Sequence, residues 1–276
     1  GCTREGERTM PNDSVTDSRV RDGYSARAAE YTELFGDIAQ MDTVDRERIA
    51  AWADRVEGRI LDVGCGPGHW SAYLAERGCE IEGLDLVPEF IATARARFPH
   101  VPYRVGSVAD GGIEPGPLGG VLAWYSLIHA GPDELPSLLA AVRRGLRSGG
   151  RLLVGYFDGP DGEPFPHAVT TAHYWSITGL TALLHDAGFA VIDTEARIQD
   201  GPDADRAALE GDQVAVAELT AAAAVHLTVD THVAVDDDLF RVAARVEQAG
   251  ELQELPEADH VATDGDVVDA AGTAHG

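Results

Sequence analysis

Residues 61–70 read Leu-Asp-Val-Gly-Cys-Gly-Pro-Gly-His-Trp, and no other stretch restricts the fold as tightly. The apolar run 59–63 fits a short buried strand that stops on glycines at 64, 66 and 68. Glycines at alternate positions permit a tight turn and let a ligand lie against bare backbone. The stretch 69–77 then reads as a helix whose first amide N–H groups point at that ligand. A strand, a glycine turn and a helix in immediate succession demand a layered α/β arrangement.

The rest of the central chain repeats this alternation. Strands are expected over 80–86, 101–105, 120–125, 151–157 and 189–197, and helices over 88–98, 132–147 and 178–187. Pro88 suits a first helical turn. Leu135, Leu138, Leu139, Val142 and Leu146 form the stripe of an amphipathic helix, and Ser148-Gly149-Gly150 stops it. The fold class is therefore α/β, a doubly wound and mostly parallel sheet with helices on both faces. Such sheets bind ligands beyond the carboxyl ends of their strands.

Composition divides the 276 residues. From residue 221 onward there are twelve acidic residues against two arginines, so this segment carries −10 of the −26 net charge, and its only aromatic is Phe240. A segment so poor in large apolar groups has little to set against its ordering entropy. The expected division is a flexible N-terminus over 1–18, with Met10 as the natural start, a folded domain over 19–220 and a weakly structured, low-complexity acidic tail over 221–276. Within the tail, valines alternate over 225–235 as one strand face, and 237–249 fits a helix. The opposite strand face carries His226, Asp230 and His232, residue types that suit a metal. Polar residues on a solvent face are the ordinary case, so no metal site is expected.

The strongly negative charge repels nucleic acid and anionic membrane surfaces. No apolar run reaches the ~18 residues of a membrane helix. All 21 basic residues are arginine, which removes any mechanism that needs a Schiff-base or phosphate-loop lysine. Cys2, Cys65 and Cys79 lack metal-ligand spacing and cannot all pair, and the N-terminus has no apolar leader, so the expected compartment is the cytoplasm.

Asp85 ends the second strand, where a carboxylate can accept both hydrogen bonds of a ribose diol. A dinucleotide turn wants its third glycine where this chain has His69, and Asp62 just before the turn would repel a pyrophosphate. Asp62 suits a ligand carrying an ammonium and a sulfonium; its plainer role is a loop-stabilising carboxylate.

Residues 62–68, Asp85 and the later Leu146-Arg147-Ser148-Gly149-Gly150 resemble the Rossmann-like, class I S-adenosylmethionine-dependent methyltransferases, over about 24–197. The resemblance implies S-adenosylmethionine as cofactor. Gly64, Cys65, Gly66 and Gly68 would lie along its amino-acid part, Asp85 on its ribose and Leu86 on its adenine. Tyr24 and Tyr31, in a stretch similar to the family's N-terminal lid, would cover the sulfonium, or else dock their own helix face. The adenine-reading position usually reads Gly-Asp and here is Gly106-Ser107-Val108. Ser107 offers one hydrogen bond, so a weaker adenine contact by Ser107 and Val108 is expected, with Asp110 as a compensating group.

Trp124 and Tyr125, after the fourth strand, fall where the family places cofactor contacts, and His129 where substrate contacts follow. His129 is the imidazole best placed as a general base, or it caps local structure. His173-Tyr174-Trp175 falls where the acceptor pocket is lined, or it packs a loop. The chain lacks an Asn- or Asp-Pro-Pro-Tyr motif, a Pro-Cys nucleophile and a paired acidic cluster, which sets aside base-amino, pyrimidine-carbon and magnesium-dependent catechol methylation. A small-molecule acceptor is the reading that remains. The alternatives are an NAD(P)-dependent oxidoreductase and a non-catalytic S-adenosylmethionine-binding module.

Overall fold

A computed structural model describes residues 14–116 and 118–197 together with the backbone of two later strands, Gln213–Ala215 and Ala223–Asp230. Met10, His232 and the expected helix at 237–249 lie outside the described residues.

Order begins earlier than the expected boundary at 18. The Ser14 side chain accepts the Asp17 N–H and caps α1 (Val15–Ala26), satisfying a donor that the first turn leaves open. Helix α2 (Ala28–Phe35) follows directly, and α3 (Thr43–Ala53) starts where the Asp42 carboxylate accepts the Val44 N–H. The alternating part then runs β1 (Ile60–Val63), α4 (His69–Glu76), β2 (Ile81–Asp85), α5 (Pro88–Arg97), β3 (Tyr103–Val105), β4 (Leu118–Trp124), α6 (Leu135–Gly145) and β5 (Leu146–Phe157). A short antiparallel hairpin, β6 (Pro164–Pro166) with β7 (Thr171–His173), precedes α7 (Ile177–Asp186) and β8 (Ala190–Arg197). The chain returns to the sheet as β9 (Gln213–Ala215) and β10 (Ala223–Asp230).

The sheet order is β3-β2-β1-β4-β5-β10-β8-β9, parallel at every pairing except β8 with β9. Reversal of the strand order at β1 and β4 opens a crevice at their carboxyl ends, the place where such sheets take ligands. Both faces are covered. Ile49, Trp52, Leu74 and Ile91 bring α3, α4 and α5 onto one face; Leu139, Val142, Leu180 and Leu184 bring α6 and α7 onto the other. No helix among the described residues is long and apolar enough to cross a membrane.

Two details differ from expectation. Helix α6 ends at Gly145 rather than 147, because Leu146 turns extended to pair with Leu118. The sheet also continues beyond residue 220. The strand expected at 225–235 occupies 223–230, between β5 and β8 and parallel to both, in the segment expected as a tail. A lone β5 edge would present unpaired backbone groups, and β10 covers it. Strand β9 pairs antiparallel on the outer side of β8.

Candidate active site

The glycine turn after β1 adopts left-handed backbone at Gly64, Gly66 and Gly68. A side chain at 64 would strike Ser126 Cβ at 2.3 Å, whereas one at 66 would meet only Tyr31 Cε1, at 3.8 Å. Bare backbone at 66 therefore faces open space beneath the Tyr31 ring. Gly68 packs against Tyr103 and Ala94 and opens α4, the close helix-to-sheet contact a third glycine would otherwise make at 69. His69 is instead buried, and burial holds its imidazole down at about 4.

Asp85 closes this cradle. One carboxylate oxygen accepts the Gly66 N–H and the other the Val87 N–H, each at 2.8 Å. A carboxylate offers about four lone-pair sites, so capacity for a hydroxyl donor remains beyond its backbone bonds. Burial raises its pKa to about 6 despite those bonds. Asp62 accepts the Ser71 hydroxyl at 2.6 Å, tying β1 to α4, and burial pushes it up to about 7. This bond is a loop-stabilising contact, and the Ser71 backbone adds to it. The Cys65 thiol turns into the core against Gly83, so Cys65 has only backbone to offer the cleft.

Helix α1 spans the carboxyl ends of the strands. Tyr24, Tyr31 and Leu86 gather with Val87 and Phe90 in one apolar cluster, the two tyrosine rings edge-on at 5.6 Å. Burial raises both phenols, Tyr31 to about 12. At the strand β3 end, Val108 is buried and the Ser107 hydroxyl donates to Asp17 Oδ2 at 2.5 Å. The carboxylate that meets Ser107 comes from α1.

After β4 the two aromatic rings meet edge-on, with centroids 5.3 Å apart. Trp124 packs on Trp70 of α4, while Tyr125, the one non-glycine with positive φ among the described residues, packs on Phe157. His129 is 7% exposed; its Nδ1 donates to the Thr171 carbonyl at 2.8 Å, and its Nε2 lies 3.1 Å from the Tyr24 hydroxyl. A carbonyl can only accept, so Nδ1 carries the proton and Nε2 the lone pair. Burial lowers the His129 pKa to about 4.

The β6–β7 hairpin, absent from the sequence expectations, supplies Thr171 and sets His167 with its ring centroid 5.3 Å from that of His129. His129 and His173 also border a cleft of about 440 Å³ with Arg19, Glu134 and Thr170. Of the expected pocket triplet only His173 faces this cleft: Tyr174 stacks on Phe165 and Trp175 is buried in the core.

Comparison with known proteins decides the family. A methyltransferase-domain family model matches residues 60–150. An uncharacterized methyltransferase of Synechocystis is 30% identical over 143 residues, covering 49% of this chain and 68% of the relative. The chain belongs to the class I S-adenosylmethionine-dependent methyltransferases. A ubiquinone biosynthesis O-methyltransferase of Xanthomonas campestris is 32% identical, with 52% of this chain and 64% of that one covered. A malonyl-[acyl-carrier protein] O-methyltransferase of Serratia marcescens is 29% identical over 52% of this chain and 55% of its own. The chain thus spans between about half and two thirds of these relatives. The fold is shared with a Burkholderia thailandensis 1,6-didemethyltoxoflavin N1-methyltransferase solved with S-adenosylhomocysteine, at TM-score 0.54 and 22% identity over 70% of this chain and 85% of that one.

The methyltransferase site fits the family's cofactor. The open face at Gly66 leaves room for an extended chain beneath Tyr31, Asp85 has two acceptor oxygens for a diol, and Leu86 and Val108 provide apolar surface near the base position.

Proposed function

We propose that this methyltransferase transfers a methyl group to an acidic hydroxyl of a small organic molecule, with His129 as general base. The observation that carries the reading is the fixed tautomer of His129. Thr171 holds the proton on Nδ1, leaving the Nε2 lone pair directed at the lid. S-adenosylmethionine supplies a methyl group on a sulfonium whose departure leaves a neutral thioether. The chain's part is alignment and exclusion of water. Tyr24 and Tyr31 roof the cradle and Asp85 holds the diol; because Nε2 already accepts the Tyr24 hydroxyl, the acceptor's proton passes to the Tyr24 oxygen and the Tyr24 proton to Nε2 as the new carbon–oxygen bond forms. A base lowered to about 4 is neutral at pH 7 and matches an acidic hydroxyl, such as a phenol or an enol, better than an alkyl alcohol. O-methyltransferases among the relatives support an oxygen acceptor.

A cytoplasmic setting belongs to the same proposal, supported by the free thiols Cys65 and Cys79. The net charge of −26 argues against nucleic acid as partner. Turnover of methyl-labelled cofactor against phenols, alcohols and amines tests the acceptor class. Label in the phenol ethers is expected; label appearing only in amines would overturn the oxygen assignment. Calorimetric titration with S-adenosylhomocysteine and with NAD separates the oxidoreductase alternative, which requires NAD to bind and the homocysteine compound not to.

A further inference from the structure

The family resemblance places Ser107 beside the adenine, and the structure sets a carboxylate against it. Ser107 Oγ donates its one hydrogen to Asp17 Oδ2 at 2.5 Å and accepts the Ala109 N–H at 3.1 Å. Its donor capacity is spent, so Ser107 serves to hold something else in place. What it holds is an anionic acceptor, the group that suits the exocyclic amino donor of adenine.

Asp17 belongs to the lid. Helix α1 is pinned along its length over the strand ends: Arg21 Nε donates to the Leu86 carbonyl at 3.3 Å, and Ser25 Oγ donates to Glu89 at 2.8 Å. Tyr24 then meets Phe90 and His129. Asp17 and Tyr24 are seven residues apart, about 10 Å along the helix axis, the scale of an adenosyl group. One end of α1 thus meets the base position and the other the base catalyst.

Resting on the S-adenosylmethionine assignment, we propose that Asp17 is the adenine-reading carboxylate of this enzyme, delivered by the lid helix and positioned by Ser107, so that the base is recognised only when α1 is closed. Substrate closure and cofactor discrimination become a single event. An enzyme with its aspartate on the sheet would read adenine with the lid open.

The test compares S-adenosylhomocysteine with S-inosylhomocysteine, in which a 6-oxo group replaces the amino donor, by calorimetry on the full chain. The wild type is expected to prefer the adenosyl compound by about ten- to a hundredfold, the weight of a charged hydrogen bond. Asp17→Asn should lose most of that preference, because an amide can donate to the 6-oxo group. Ser107→Ala, which leaves the carboxylate intact, should reduce it part-way, and the double variant should fall no further than Asp17→Asn alone. S-adenosylhomocysteine should also slow tryptic cleavage at Arg19 and Arg21 in the wild type more than the inosyl compound does. Asp17→Asn binding S-adenosylhomocysteine with undiminished affinity and preference would overturn the proposal while the cofactor assignment stands. A wild type that binds neither compound would instead overturn the cofactor assignment, and this proposal with it.

Discussion

The Tyr24 hydroxyl lies 3.1 Å from His129 Nε2, and the two rings meet edge-on with centroids 5.7 Å apart. The residues are 105 positions apart, one on helix α1 and one after β4, so their bond ties α1 to the nitrogen proposed as the base. His129→Gln should lower kcat by about 10²- to 10⁴-fold, the usual weight of a positioned base. The dissociation constant for S-adenosylhomocysteine should stay within about twofold. Because burial lowers His129 to about 4, Nε2 stays unprotonated through the range where an ordinary histidine titrates. A kcat profile level from pH 8 to 5 is expected; a fall centred near 6.5 would remove His129 as the base.

Asp85 gives a second pH signature. Its pKa is raised to about 6 by burial, so the carboxylate is fully charged above 7 and protonated below 5. A protonated carboxyl loses acceptor capacity, so cofactor affinity should weaken as pH falls through 6. Asp85→Ala should cost about 1.5–3 kcal/mol of binding, ten- to a hundredfold, and flatten that dependence. Calorimetry across pH 5 to 8 checks both, and an unchanged affinity would take Asp85 out of the site.

What the sequence could reveal follows from how local each signal is. The glycine turn and Asp85 are legible because strand, turn and acid follow one another at short range. Helix α1 could have been started at 15, since Ser14 and Asp17 stand at capping spacing. Helix α3 shows no stripe, because its buried residues Ile49, Ala50, Trp52 and Ala53 crowd its last turns. Hairpin β6–β7 escapes because three-residue strands have no readable period, and Pro164 and Pro166 argue against a strand. The Asp17–Ser107 pair joins positions 90 apart and leaves no local trace. The direction of the Cys65 side chain is likewise unreadable from the motif: it turns into the core and leaves only backbone on the turn.

Gly64 and Gly66 should separate folding from binding. Both have positive φ, so alanine costs about 1 kcal/mol of backbone strain at either. At 64 the new methyl also strikes Ser126 Cβ at 2.3 Å, backed by the chain after β4. Gly64→Ala should lose several degrees of Tm together with cofactor binding. Gly66→Ala should lose binding with a much smaller change in Tm, since its methyl enters the open cradle. Equal melting shifts for the two would contradict the geometry.

Asp62 makes stability depend on pH in a stated direction. Its folded pKa of about 7 exceeds the unfolded value near 4, so between these the folded state binds the extra proton. That contribution favours folding at low pH and is lost as pH rises through 7. Asp62→Asn keeps an acceptor for Ser71 and cannot ionise. Its Tm relative to wild type should therefore be higher at pH 8 than at pH 5, measured by thermal melts of both proteins in matched buffers.

The position of β10 carries the last prediction. Its eight residues pair with β5 on one side and β8 on the other, so both ladders depend on it. Truncation after Thr220 removes the strand and leaves two open edges inside what is now a continuous sheet. Thr228→Pro tests the same point without shortening the chain, because proline removes a ladder N–H from the middle of a strand. Each change should lower Tm by roughly 10 °C, corresponding to about 3–4 kcal/mol in a domain of this size. Cofactor affinity should fall less, since the glycine turn and Asp85 stand on β1 and β2, away from the break. A truncated protein that melts with the full chain would mean that β10 contributes nothing to the sheet, and that the folded domain ends before residue 221.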